Sequence, residues 1–185
     1  MSSNELYHYG VKGMRWGIRK DKIYSVMDTM SKIPYAEFTK LKTPEQVLKT
    51  GGSCHDQVIL EEKLLKDLGA KPKSFFFMEY NKKGQGYTTH SFTTFKNYDK
   101  IIMLENAWKE NKGVHEFKDY STMFMDISKK FKTSEFHTPG TELIFTEFGN
   151  HMPGESLQEF VDVSLNSREI IIGGNKNGQE QETEV

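Results

Sequence analysis

Cysteine and long apolar runs are scarce in this chain, and neither sign of charge dominates. Cys54 is the single cysteine among 185 residues, so an internal disulfide is excluded and nothing ties the fold to an oxidising compartment. No apolar run approaches the roughly 20 residues of a membrane-spanning helix. The 25 basic and 26 acidic residues leave a net charge of −1, which gives no electrostatic reason to expect nucleic acid as the main partner.

The first residues also lack the basic start and apolar core of a secretion signal. We therefore expect a cytoplasmic protein with neither a membrane nor a nucleic acid as partner. Its length suits one compact domain, and its 13 phenylalanines supply the bulk for a core. Composition divides the chain into an N-terminal arm at 1–20, a folded domain at 21–172 and a polar tail at 173–185 that we expect to be disordered.

Within the arm, residues 7–17 have the order Tyr-His-Tyr-Gly-Val-Lys-Gly-Met-Arg-Trp-Gly. The glycines oppose a regular helix, while the aromatic and basic side chains make the segment adhesive. It either packs on its own domain or docks on a phage or host protein. Its order resembles a short motif seen on many phage-encoded proteins, among them head-associated proteins of tailed phages. The resemblance implies a phage or prophage origin, and with it a place in the host cytoplasm or in the virion.

Hydrophobic spacing and turn residues predict an α+β fold. Apolar residues recur at helical spacing in two pieces between 22 and 48, which prolines separate. A helix from Cys54 to Leu68 is predicted by a stripe of leucines along one face. Strands are expected at 74–80, 88–95, 100–108, 141–148 and 168–172, and a further helix at 153–163.

The position of Cys54 is the strongest indication of function. It follows Gly51-Gly52-Ser53 and begins the leucine-striped helix. A helix N-terminus carries partial positive charge and unpaired backbone N–H groups, which favour a thiolate over a thiol. Because the thiolate is the nucleophilic form, this placement indicates a catalytic cysteine.

A histidine and a carboxylate are expected on the two strands that follow. A two-residue turn at Asn97 and Tyr98 places His90 directly opposite Glu105, on the same face and within reach of a hydrogen bond. A three-residue turn shifts the pairing by one and places Asn106 there instead. Either side chain can orient an imidazole, so Glu105 is the first choice and Asn106 the reserve.

These residues predict thiol-dependent acyl chemistry. Cys54 attacks a carbonyl carbon to form a thioester, His90 moves the proton, and Glu105 fixes the imidazole. The backbone N–H of Cys54, with Gln57 as a possible second donor, stabilises the oxyanion. Each residue alone has an ordinary structural explanation, such as a buried cysteine acting as a small hydrophobe. Their combination favours a catalytic site.

The segment from Gly51 to Trp108 resembles the transglutaminase-like branch of the papain-type cysteine enzymes. Those enzymes place a cysteine at the start of a core helix that ends in Leu-Gly, as Leu68-Gly69 does, and a histidine and an acidic residue on the next strands. Their acidic residue is Asp within an Asp-Pro pair, where this chain has Glu105-Asn106. The resemblance implies an antiparallel sheet packed on the cysteine-bearing helix. It also implies cleavage of a peptide or isopeptide amide in a protein or peptide substrate, or acyl transfer to an amine, with no metal or organic cofactor.

Three alternatives remain open at this point. Transglutamination or deamidation of glutamine begins with the same thioester and differs in the acceptor. A non-catalytic phage structural or host-interaction protein fits the N-terminal arm. A zinc site at Cys54, His55 and His90, completed by His115, His137 or His151, is the third, although no Cys-x-x-Cys or His-x-x-x-His pair supports it.

Overall fold

A six-stranded antiparallel sheet flanked by helices forms the framework, in agreement with the predicted α+β class. The computed structural model describes residues 17–80 and 87–170. In chain order the elements are α1 (Lys20–Ser31), α2 (Pro44–Thr50), α3 (Cys54–Asp67), β1 (Pro72–Tyr80), β2 (Tyr87–Asn97), β3 (Lys100–Glu105), β4 (Gly113–Phe117), α4 (Tyr120–Lys132), β5 (Glu142–Glu147), α5 (Leu157–Leu165) and β6 (Glu169–Ile170), with a 3₁₀ turn at Lys109–Asn111 before β4. The arm segment at 7–16 and the tail at 173–185 lie outside the described residues, and so do residues 1–6, 81–86, 171 and 172.

The strands lie in the order β4-β3-β2-β1-β5-β6, so the two longest strands occupy the centre of the sheet. Phe75, Phe76 and Phe77 on β1 are all at most 1% exposed. Successive side chains of a strand point to opposite faces, so this continuous apolar run means that both faces of the sheet are covered.

The two faces have different helical covers. Helix α4 packs Met123, Phe124, Ile127 and Phe131 against the face that holds Phe75 and Phe77. Helices α1 and α3 cover the opposite face, where their apolar side chains contact Phe95 and Leu104. Helix α5 extends this second layer through Phe160. Helix α3, which begins at Cys54, is therefore held against the sheet along its length. None of the described helices combines the length and hydropathy needed to cross a membrane.

The turn between β2 and β3 differs from the prediction. Asn97 pairs with Lys100, so the turn residues are Tyr98 and Asp99, and the expected turn at Asn97 and Tyr98 is wrong. Asn97 stays in the strand because its side-chain amide accepts from the backbone N–H of Ile18 at 2.7 Å and donates to the Ile18 carbonyl at 3.0 Å. The pairing is displaced by two residues, which is one full side-chain period, so facing sides are preserved.

Other boundaries also differ. Strand β3 ends at Glu105 rather than at Trp108. The last helix begins at Leu157 with Ser156 as its cap, because the backbone turns at Gly154, whose φ is +99°, before the helix starts. Strand β4 and helix α4 were not predicted. Helix α1 corresponds to the first piece with helical spacing, but the second piece, at Phe38 and Leu41, is not helical. Helix α2 begins at Pro44 after the cap Thr43, which accepts from the backbone N–H of Gln46.

The caps of α3 and α5 allow a matched test of what holds the N-terminus of α3. Ser53 and Asp56 form a reciprocal cap in which Asp56 is fully buried, whereas the equivalent Glu159 of α5 is exposed. Ser53→Ala is expected to lower the free energy of unfolding by about 2 kcal/mol, since a buried carboxylate loses a donor.

The control Ser156→Ala is expected to lower the free energy of unfolding less, because water can replace the donor that the exposed Glu159 carboxylate loses. Urea unfolding followed by tryptophan fluorescence measures both, and equal losses would contradict this account of the cap.

Candidate active site

The loop before Cys54 is fixed by backbone contacts. Gly51 has a φ of +72°, and a Cβ at this position would lie 2.2 Å from the carbonyl oxygen of Pro34, so the close approach requires glycine. Gly52 donates its N–H to that same carbonyl at 3.1 Å. Asp56 then accepts from the backbone N–H and the hydroxyl of Ser53, each at 2.9 Å. Cys54 is thereby held as the first residue of α3.

His90 and Glu105 form a short, buried hydrogen bond. Nε2 of His90 lies 2.7 Å from Oε2 of Glu105, and the Glu105 side chain is 2% exposed. The other oxygen, Oε1, accepts from the backbone N–H groups of Ala107 at 2.9 Å and Trp108 at 2.8 Å. With both carboxylate oxygens occupied and Nε2 bound, Nδ1 is the ring nitrogen of His90 left to face the thiol.

Cys54 and His90 line one cavity and influence each other electrostatically. Burial opposes the thiolate, but the imidazoles of His55 and His90 outweigh it and lower the pKa of the Cys54 thiol to about 5. Burial also opposes the imidazolium, yet the Glu105 carboxylate and the Cys54 thiolate raise the pKa of His90 to about 10. At a pH between these two pKa values, Cys54 is a thiolate and His90 an imidazolium, which is the activated state of a nucleophilic cysteine.

His55 is a second imidazole beside the thiol, and its importance was not recognised from the sequence. Its Nδ1 lies 3.8 Å from the Cys54 sulfur and 2.8 Å from the hydroxyl of Ser91, and its Nε2 lies 3.0 Å from the hydroxyl of Thr89. The ring also packs on Phe160, with centroids 4.4 Å apart. Both nitrogens are engaged by hydroxyls, so His55 lacks the carboxylate partner that distinguishes His90.

Asn106 and Gln57 bind to each other rather than to His90. The Asn106 amide donates to Oε1 of Gln57 at 2.7 Å and to the carbonyl of Met30 at 2.9 Å. Gln57 donates in turn to the carbonyl of Gly52 at 2.9 Å. The structure therefore places Glu105, and not Asn106, against His90, and it uses the Gln57 amide to tie the cysteine loop to the end of β3.

Trp108 stands in the wall of the cavity with an unpaired donor. Its indole is 7% exposed, and Nε1 has no hydrogen-bond partner among the described residues. The ring meets the imidazole of His90 edge-on, with centroids 6.0 Å apart. A buried N–H without a partner is rare and requires an explanation, and one explanation is an acceptor that only the substrate supplies.

Glu61 is a second buried carboxyl group near the site. It lies two turns along α3 from Cys54, is 2% exposed, and hydrogen-bonds with Thr93. Burial, reinforced by the nearby charge of Glu105, raises its pKa to about 8 despite the bond to Thr93. At neutral pH it is mostly uncharged, so it adds little negative charge beside the His90–Glu105 pair.

The remaining histidines of the described residues are bound elsewhere. His115 contacts the carbonyl of Asn111, His137 contacts Glu79, and His151 contacts Glu155. In residues 17–80 and 87–170 no three His, Cys, Asp or Glu side chains are grouped to hold a metal ion.

The ion pair predicts a particular pH dependence for alkylation of Cys54. The rate with iodoacetamide is expected to stay high at neutral pH and to fall as the pH drops through about 5, where the thiolate is protonated. His90→Ala removes a charge that stabilises the thiolate, so its midpoint is expected to move to higher pH. Intact-mass spectrometry follows the reaction.

His115→Ala serves as the control for this measurement, since its ring contacts the backbone away from the thiol. An unchanged midpoint in His90→Ala would show that His90 does not govern the thiol.

The comparisons with known proteins concern the N-terminal arm. A model described as Family of unknown function (DUF7211) matches residues 1–23, most of which precede the described part of the chain. No curated protein matches the sequence. The functional assignment therefore depends on the geometry around Cys54, His90 and Glu105.

Proposed function

We propose that this chain is a thiol-dependent amide hydrolase of transglutaminase-like, papain-type architecture, in which Cys54, His90 and Glu105 form the catalytic triad. The supporting observation is the 2.7 Å bond between Nε2 of His90 and Oε2 of Glu105 at a cavity that the Cys54 thiol also lines. A nucleophile, a base and a group that orients the base are the parts that such a site requires.

The proposed reaction has two halves. The Cys54 thiolate attacks the carbonyl carbon of an amide, and the imidazolium of His90 gives its proton to the nitrogen as the C–N bond breaks. The amine leaves, and the acyl group remains on sulfur as a thioester. Neutral His90 then takes a proton from water, whose oxygen attacks the thioester, and the carboxylic acid departs while the thiolate and imidazolium are restored.

Glu105 acts throughout by holding the ring. Its bond to Nε2 keeps Nδ1 toward the sulfur and stabilises the imidazolium that each half-reaction needs. Because its other oxygen is bound by two backbone N–H groups, the carboxylate cannot turn away from the ring.

Two donors are available for the oxyanion. The N–H of Cys54 is one of the helix-start amides without an acceptor inside the helix. In this proposal the second donor is the indole N–H of Trp108, because Trp108 lines the same cavity and its Nε1 has no hydrogen-bond partner among the described residues. Gln57 is the second donor expected from the sequence; one N–H of its amide donates to the carbonyl of Gly52, and its oxygen accepts from Asn106.

The substrate in this proposal is a protein or peptide. Transfer of the acyl group to an amine would use the same thioester and differs only in the final nucleophile. Docking of a phage or host protein through residues 7–17, of which 7–16 lie outside the described residues, stays a prediction, and so do the phage origin and the cytoplasmic or virion location.

A peptide-library digest tests the proposal. The wild-type protein is expected to generate new peptide ends from a proteome-derived library, and mass spectrometry identifies them. Cys54→Ala is expected to lower turnover by roughly 10⁴-fold or more, because the nucleophile is lost. Glu105→Gln keeps the shape but loses the charge, and a loss on the order of 10²- to 10⁴-fold is expected.

Two results of the digest would change the conclusion. Adducts with added methylamine in place of new carboxyl ends would favour acyl transfer over hydrolysis. Equal products from the wild type and Cys54→Ala would contradict catalysis and leave the non-catalytic interaction protein as the better description.

The role of Trp108 gives a separate prediction. Trp108→Phe keeps an aromatic wall but removes the N–H, so kcat is expected to fall roughly 10²- to 10³-fold. The pH dependence of Cys54 alkylation is expected to stay unchanged, because that reaction forms no oxyanion. An unaffected kcat in Trp108→Phe would contradict the assignment of this N–H as the second donor.

A further inference from the structure

We propose, on the basis of the proposed function, that the cavity beside Cys54 selects substrates whose acyl part carries a bulky, uncharged side chain, aromatic or large aliphatic. Tyr35 and Phe136 are its specificity-determining residues. The proposal depends on the composition of the cavity, the exposure of two of its aromatic residues and the way in which both are held.

The cavity has a volume of about 350 Å³ and is walled mainly by aromatic rings. The aromatic members are Tyr35, Phe77, Trp108, Phe131 and Phe136. Thr88, Thr89 and Ala107 also line it, and among the described lining residues Cys54 and His90 are the ones that are ionised at neutral pH. A largely apolar cavity with a few polar groups at one point is typical of a site that binds an apolar part of a ligand and orients its reacting part.

Two of these aromatic residues stand at the mouth of the cavity and are unusually exposed. Tyr35 is 63% exposed and Phe136 is 47% exposed, while Phe77 and Phe131 form the buried part of the wall. They come from different places, Tyr35 from the segment between α1 and α2 and Phe136 from the loop after α4. Exposed aromatic rings beside a reactive group indicate a binding surface better than isolated surface hydrophobes do.

The segment that carries Tyr35 is fixed to the cysteine loop. Tyr35 forms a parallel bridge with Gly52, and Ala36 donates its N–H to the Gly52 carbonyl at 3.2 Å. The position of this aromatic ring is therefore coupled to the loop that presents Cys54. Because the backbone here is already fixed, it does not have to be ordered when a ligand binds.

The loop that carries Phe136 is fixed by a buried ion pair or hydrogen bond. Glu79 on β1 is 3% exposed, and its Oε1 lies 2.5 Å from Nδ1 of His137. Oε2 of the same carboxylate accepts from the backbone N–H of Thr138 at 3.0 Å. These contacts, directly after Phe136 in the chain, keep the loop against the sheet although it is outside any helix or strand.

The cavity is placed to bind the acyl part of the substrate and not the departing amine. After the amine departs, the acyl group stays bonded to the sulfur, so a cavity that begins at Cys54 contacts it through both half-reactions. An acidic or basic side chain would have to leave water, and the ionised groups near it, the Cys54–His90 pair and Glu105, are already committed to one another and, for Glu105, to two backbone amides. A cation held on the aromatic faces is the competing occupant.

Peptidyl chloromethyl ketones test the preference without a known natural substrate. The probes differ in the residue that carries the electrophilic carbonyl, which is Phe, Leu, Ala, Gln, Glu or Lys. The second-order rate of Cys54 modification is read by intact-mass spectrometry. The Phe and Leu probes are expected to react at least about tenfold faster than the Ala, Gln, Glu and Lys probes. A fastest rate with the Lys probe would overturn the proposal in favour of a cation site.

Variants at the mouth assign the preference to named residues. Phe136→Ala and, separately, Tyr35→Ala are expected to reduce the ratio of Phe-probe to Ala-probe rates by about fivefold to tenfold. Met152→Ala, which removes an apolar side chain that is 68% exposed and outside the cavity, is expected to leave the ratio unchanged. Thermal melts establish that each variant is folded, and Phe136→Leu provides a milder change at the same position.

The outcomes separate this inference from the proposed function. Equal rates for all probes in the wild type, with modification still slowed by His90→Ala, would overturn the specificity and leave the triad standing. Probe rates that do not respond to His90→Ala would contradict the triad itself.

Discussion

The hydrogen bond between His90 and Glu105 is the interaction on which the site depends. A buried imidazolium is costly unless a carboxylate lies beside it, and Glu105 meets that need at 2.7 Å. The same carboxylate holds the backbone of Ala107 and Trp108, so it also sets the path of the chain after β3. The Glu105 side chain thus orients the imidazole of His90, stabilises its positive charge and fixes the backbone that carries the Trp108 indole.

The unequal lengths of β2 and β3 explain how residues from opposite faces of the sheet reach one cavity. His90 points to the face covered by α4, where it contacts Phe77 and Trp108, whereas α3 packs on the other face. Paired positions on β2 and β3 begin only at Thr93, because β3 ends at Glu105. The unpaired part of β2 leaves an opening at the sheet edge, and Cys54 lines the cavity there together with His90.

The sequence was informative where local chemistry determines structure. Gly51-Gly52-Ser53 before the leucine stripe indicated that Cys54 begins a helix, which the structure shows with Ser53 as its cap. The two-residue period of strands put His90 and Glu105 on one face although the predicted turn is wrong. The turn could not be found because Asn97 is held by Ile18, 79 residues away in the chain. Trp108 and His55 also depend on contacts between distant elements. Helix α4, in contrast, could have been predicted from the sequence, because Met123, Ile127 and Phe131 recur at ordinary helical spacing.

The central claim is that His90 is an imidazolium at neutral pH because it lies between Glu105 and the Cys54 thiolate. Nitrogen-15 NMR of the imidazole rings measures this directly, with His90→Gln used to assign the signal. At pH 7 both ring nitrogens of His90 are expected to be protonated, and in Cys54→Ala its pKa is expected to fall from the value of about 10. A ring that titrates near the ordinary value of 6.5, and that does so equally in Cys54→Ala, would contradict the account.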